Sequence, residues 1–208
     1  MFQYFNEFSI IAIAHLIAVV SPGQDFALVI RQTIQYNRKI AIMSSIGIAT
    51  GILIHIAYCI LGVAFLFSNY EPLYNILKCI CALYMLYLGC QSLFKDSKIN
   101  DIEKQSKLLK KNSYLLAFKQ GFLTNILNVK ATLFFLSLYS FINVETPIIV
   151  QTLYGFWMCL ITGLWFVLVS FFFTTKTIKD YTWKYNFILK KIMGIVLIYI
   201  AIKIFLYY

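Results

Sequence analysis

The chain has 208 residues, 61% of them hydrophobic, 18% aromatic and only 12% charged, with a mean hydropathy of +0.79 and a formal net charge of +10. A soluble domain carries about a quarter charged residues, so this composition excludes a soluble enzyme or binding module and indicates an integral membrane protein. The apolar stretches leave no room for a soluble domain of about 50 residues or more, and the basic excess therefore has no folded surface with which to bind nucleic acid.

A helix needs about 20 mainly apolar residues to cross a bilayer, and six such stretches are predicted. The first runs from about Phe5 to Ile30 and contains Pro22, Gly23, Gln24 and Asp25. Pro22 has no amide hydrogen to continue the helical ladder and Gly23 adds backbone freedom, so these two are the expected hinge. Backbone opened in this way is tolerated in lipid only where it lines a cavity or faces protein. Phe2 to Val20 has no Lys or Arg, so the basic n-region of a signal peptide is missing and the span is expected to be retained. His15 lies in the outer half of this span and has the weaker claim to a role.

The second span, Ile40 to Phe67, is free of charge. Gly47, Gly51 and His55 are spaced by four and form one stripe, whose small residues allow a close helix approach. His55 is therefore placed against another helix, either as a hydrogen-bonded packing residue or as a proton relay. The third span, Leu73 to Phe94, carries Lys78 near its start. Lys78 and Lys203 are expected to snorkel to the interface from outer helix ends.

The fourth span, Tyr114 to Ile142, contains Asn125, Asn128 and Lys130. The two asparagines share a face, and Lys130 lies about 16 Å along the helix from Lys119 at 1.5 Å per residue, close to the midplane. The fifth span, Ile148 to Thr174, is uncharged, and the sixth runs from Phe187 to Tyr207. The five cysteines all fall within spans, and none forms a CxxC pair. They read as small buried apolar residues, and no metal or cofactor is expected.

Basic residues cluster in three connections: Arg31, Arg38 and Lys39 after the first span; Lys95, Lys98, Lys104, Lys107, Lys110, Lys111 and Lys119 after the third; Lys176, Lys179, Lys184, Lys190 and Lys191 after the fifth. The opposite side shows Glu7, Glu71 and Glu145. By the positive-inside rule the basic connections face the cytoplasm and both termini face out.

The chain also reads as two halves of about 1–105 and 106–208. ILKCICALYMLYLGCQSLF from Ile76 aligns with ILKKIMGIVLIYIAIKIFL from Ile188; Gly47 and Gly51 align with Gly155 and Cys159; Pro22 falls opposite Asn128. Halves of three spans each enter the membrane from opposite sides, the pattern of inverted repeats. The expected fold is thus all-α, with six transmembrane helices as two inverted three-helix repeats forming one transporter domain.

A charged side chain at the bilayer centre costs about 2.5–3.5 kcal/mol on insertion scales, and such residues mark substrate or ion paths. Asp25 and Lys130 are the candidates. They form either a static ion pair that fixes packing or a clamp for a zwitterion, with Asp25 taking an ammonium and Lys130 a carboxylate. Gln24, Asn125 and Asn128 would supply further polar contacts, and Asp25 or His55 would carry protons.

The segments SPGQDFALVIRQTI, GIATGILIH and GFLTNILNVKATLFF closely resemble the lysine-exporter and homoserine-threonine-resistance transporter family (LysE/RhtB), and the likeness covers essentially the whole chain. The resemblance implies a proton-driven exporter of amino acids or close derivatives in the bacterial cytoplasmic membrane, working by alternating access, with a site at Pro22, Gly23, Asp25, Asn128 and Lys130. Two positions depart from the family pattern: Gln24 and Val129 stand where prolines are expected. Without its proline, the fourth span is expected to be continuous apart from a perturbation at Asn128.

Other classes fit less well. A small-cation exporter would want several carboxylates or thiolates at the midplane, and only Asp25 is available. A thiol-based membrane oxidoreductase lacks cysteines in the first and fourth spans, and a hydrolase lacks a convergent nucleophile and base. A non-transporting membrane subunit would not explain charges held within apolar spans. The glycine stripes suit internal packing and a homodimer equally.

Overall fold

A computed structural model describes residues 2–21, 23–94, 113–143, 145–172, 191–192 and 194–205. Helices α1 (Phe2–Val20), α2 (Gln24–Gln35), α3 (Arg38–Asn69), α4 (Glu71–Phe94), α5 (Tyr114–Ile126), α6 (Val129–Phe141) and α7 (Ile148–Phe172) are followed by a shorter apolar helix, α8 (Gly194–Phe205). There is no strand among the described residues.

Three helices, α3, α4 and α7, are long and apolar enough to cross a membrane alone, and the total is five if the bent pairs α1–α2 and α5–α6 each count as one span. The sixth expected span is described only over Lys191, Ile192 and α8. Large apolar side chains such as Leu61, Leu83, Leu153 and Leu164 stay exposed on the outer surface, where lipid tails rather than water would surround them.

The α3 helix is the central post, packing most extensively on α5 and then on α7. Its contact with α5 is backbone on backbone. A Cβ on Gly47 would collide with the Phe118 carbonyl, and one on Gly121 with the Ser44 carbonyl. The Ser44 hydroxyl donates to the Ala117 carbonyl at 2.7 Å across the same seam. The Gly47–Gly51–His55 stripe therefore serves packing within the chain. Beyond it, Ile11, Ile52, Met85, Leu138, Met158, Leu197 and Ile200 join six helices in one apolar core. A smaller cluster of Phe26, Val29, Ile48, Phe166 and Val169 ties α2 to α3 and α7.

Two sequence expectations need correction. Helix α2 continues to Gln35, so Arg31 lies on a helix rather than in a connection. Its extension is amphipathic, with Gln32 and Thr33 buried against the neighbouring helices. The fourth span is also broken despite lacking the proline: α5 and α6 meet at 58°. Asn128 causes this break. Its backbone is extended (φ −79, ψ 97), and its side chain accepts from the amides of Lys130 and Ala131 at 3.1 and 3.4 Å. Such an N-cap satisfies amides that a helix start leaves open.

Val129 then occupies the first helical position, where proline is favoured because its missing amide hydrogen is not needed. The extended Asn128 also suits a residue that precedes proline. Val129→Pro is expected to keep the bend and to stabilise by about 0.4–1 kcal/mol, read as a higher thermal midpoint of the purified protein. A lower midpoint would mean that the break depends on the Val129 amide.

Candidate functional site

The break between α1 and α2 faces the break between α5 and α6 across a cavity of about 90 Å³. Gly23, Gln24, Asp25, Asn125, Asn128 and Lys130 all line it, together with a wall of Ile52, Leu88, Phe134, Phe135, Phe166 and Leu197. Every residue expected at the site from the sequence is there except Pro22, which lies outside the described residues, and His55. Gly23 is the N-cap of α2 in an extended conformation (φ −148) open to any residue, so its freedom is not used as a hinge in this state.

Asn125 links α5 to both α2 and α3. Its side-chain amide donates to Asp25 Oδ2 at 2.9 Å, and its backbone carbonyl accepts from His55 Nε2 at 3.1 Å. A carbonyl only accepts, so Nε2 must carry a hydrogen; in the neutral ring, Nδ1 then accepts from the Tyr58 hydroxyl. Gly51 leaves the space for Asn125, since a Cβ there would sit 2.8 Å from Asn125 Oδ1. His55 itself stacks flat on Phe135, with centroids 5.4 Å apart, which places it behind the cavity wall. It is linked to Asp25 through Asn125, whose backbone carbonyl and side-chain amide meet the two partners.

Asn125, Asn128 and Lys130 all lie close enough to act on the Asp25 carboxylate. One carboxylate oxygen, Oδ1, is buried and has no hydrogen-bond partner. An unmet buried acceptor costs about 1–3 kcal/mol, more for a charged group. The cavity lining thus carries one acidic and one basic side chain, Asp25 and Lys130.

Three polar features were given too little weight in the sequence or not marked by it at all. His15 lines the cavity, contrary to its weaker claim there, with Nε2 3.1 Å from the Thr162 hydroxyl. The rule that flagged Asp25 also covered His15, since both are ionisable residues in an apolar span. No sequence signal marks Thr162. Between α2 and α5, Gln32 Nε2 donates to Gln120 Oε1 at 2.9 Å, and that pairing depends on helices far apart in sequence.

Lys78 and Lys203 are both partly buried and share a second cavity of about 460 Å³ with Glu7 and Ser140. Their ammonium groups lie 5.3 and 5.9 Å from the rings of Tyr74 and Tyr199, respectively. Among the described residues, no group of three or more His, Cys, Asp or Glu side chains is placed to hold a metal ion, and all five cysteines are free.

A family model described as "LysE type translocator" matches residues 16–208. The chain is 31% identical over 194 residues to the uncharacterized membrane protein YrhP of Bacillus subtilis (strain 168), covering 89% of this chain and 91% of the relative. It is 30% identical over 133 residues to the threonine efflux protein of Salmonella typhi, covering 64% of this chain and 65% of that one. The threonine efflux protein of Escherichia coli (strain K12) is 29% identical over 136 residues, with the same coverage of 64% and 65%. No solved structure matches the chain.

Proposed function

The chain belongs to the LysE type translocators, and from that premise we propose that it is a secondary exporter of amino acids or close derivatives from the bacterial cytoplasm, coupled to protons. The observation that carries this reading is the meeting of Asp25 and Lys130, one from each half of the chain, at one cavity between two helix breaks. Broken helices that place helix N-termini and polar side chains around a central cavity are the usual substrate site of secondary transporters. The threonine efflux relatives, though aligned over only 65% of their length, support an amino acid as the cargo.

In this mechanism the ammonium of the substrate meets the Asp25 carboxylate and its own carboxylate meets Lys130, with Asn125 and Asn128 fixing the geometry. The two halves rock about the cavity as inverted repeats, an arrangement supported by the bends of 46° and 58° at corresponding places. Asp25 is the better placed proton carrier, because it lines the cavity while His55 sits behind Phe135. Proteoliposomes loaded with a panel of labelled amino acids and given a pH gradient should lose one or two of them in a gradient-dependent way. Retention of the whole panel by correctly folded protein would overturn the reading.

A further inference from the structure

The second cavity lies where α1 and α4 begin and where α6 and α8 end. Lys78 is set back about two turns from the start of α4, and Lys203 lies in the last turn of α8. Toward their other ends these two helices meet backbone on backbone. A Cβ on Gly89 would sit 2.9 Å from the Gly194 carbonyl oxygen, and one on Gly194 would sit 2.8 Å from that of Gly89. At the lysine end there is instead a space of about 460 Å³. A single water needs about 10–15 Å³, so the space suits a larger group.

Tyr74, Lys78, Ala82 and Met85 follow at helical spacing and share one face of α4. Tyr74, Ala82 and Met85 are buried, so Lys78 stands on the face turned to the bundle. Glu7 is the one acidic side chain among the described lining residues. Its carboxylate accepts from the Asn143 amide at 3.0 Å and from the Thr146 hydroxyl at 2.9 Å. Two ammonium groups against one carboxylate leave one positive charge in excess. The Ser140 hydroxyl donates to the Leu136 carbonyl at 2.7 Å, which leaves its oxygen to accept from a hydroxyl. Beside the cavity, Ile76, Ile80 and Leu83 of α4 and Tyr199, Ile202 and Phe205 of α8 are exposed apolar side chains.

We propose that this cavity holds the headgroup of a singly charged anionic phospholipid. Its phosphodiester sits between Lys78 and Lys203, and its acyl chains run along the exposed side chains of α4 and α8. The charge count favours a phosphodiester, which carries one negative charge. A phosphate monoester carries about 1.5 to 2 at neutral pH, and the surplus would face Glu7. The apolar side chains beside the lysines favour a lipid over a soluble anion. Lys78 and Lys203 belong to different halves of the chain, so a bound headgroup bridges the halves and stabilises this arrangement by mass action.

Purified protein would be placed in phosphatidylcholine nanodiscs with a rising fraction of phosphatidylglycerol, and the thermal midpoint read at each fraction. The midpoint should rise and saturate. Lys78→Met and Lys203→Met should each raise the half-saturating fraction by about tenfold, the loss of one charge-assisted contact. Lys78→Arg keeps the charge and the affinity for phosphate, and should respond as the wild type does. Lys119→Met is the control for general attraction of anionic lipid to basic segments, because Lys119 is exposed on α5 and outside the cavity. Midpoints in phosphatidylcholine alone show which variants are folded, and Lys203→Met carries the comparison if Lys78→Met does not fold. No rise in the wild type would overturn the proposal, as would an unchanged half-saturating fraction in the folded Met variants. An equal loss in Lys119→Met would assign the effect to the basic segments instead. An equal rise with inorganic phosphate alone would assign the cavity to a free anion and overturn the lipid.

Discussion

Asp25→Asn is expected to abolish amino-acid efflux without lowering the amount of protein in the membrane. The substitution keeps the shape of the side chain and an oxygen to accept from Asn125 Nδ2, the contact that joins α2 to α5 at 2.9 Å. It removes the charge that would hold an ammonium. An ion pair at about 4 Å is worth about 4 kcal/mol at an effective dielectric of about 20, and each 1.4 kcal/mol is about tenfold. Efflux should therefore fall by about 100-fold or more. Lys130→Met keeps the apolar stem, loses the partner for the carboxylate, and should behave alike.

The competing role, an ion pair that only fixes packing, predicts a different result. Each single variant would then bury an uncompensated charge and lose folded protein, and the double variant would recover both abundance and transport. A clamp leaves the double variant abundant and inactive. Efflux rates and membrane abundance measured together for the four proteins separate the two, and full activity in both single variants would sink the clamp.

The second large effect is on stability. Gly47→Ala and Gly121→Ala should each lower the thermal midpoint sharply, because the added Cβ meets the backbone carbonyl of Phe118 or Ser44. Backbone on a facing helix cannot swing aside as a side-chain tip can, so α3 and α5 would have to separate. Overpacking costs typically about 1–3 kcal/mol, and here the Ser44 to Ala117 hydrogen bond would be strained as well. Gly62→Ala is the matched control on the same helix, since its Cβ would have nothing within 4 Å and alanine is the better helix former by about 1 kcal/mol. Equal midpoints for Gly47→Ala and Gly62→Ala would show that the crossing is looser than the structure has it. The consequence reaches the site, because the same seam carries Gly51 and His55 against Asn125, and spreading it would withdraw Asn125 from Asp25.

Sequence alone was enough to mark the apolar helices, the break after Val20 and the residues Gln24, Asp25, Asn125, Asn128 and Lys130. Those inferences rest on costs that are local or set by the solvent: a charge or an amide in a lipid-facing run is expensive wherever the chain goes. The stripe of Gly47, Gly51 and His55 showed that a close contact existed, but its partner could not be read, because an internal helix and a second copy would want the same small residues.

Tertiary structure decided the rest. The break at Asn128 looked weak without a proline because the sequence shows propensity, while the bend depends on a side chain that turns back to cap two amides. His55 looked better placed than His15, and their positions are reversed: packing puts Phe135 between His55 and the cavity, and brings Thr162 of α7 to His15 of α1. The kind of residue needed at a site follows from the chemistry of burial, which acts on each residue singly. Which of those residues share a cavity depends on how helices distant in sequence cross, and that is fixed by side-chain packing across the whole bundle.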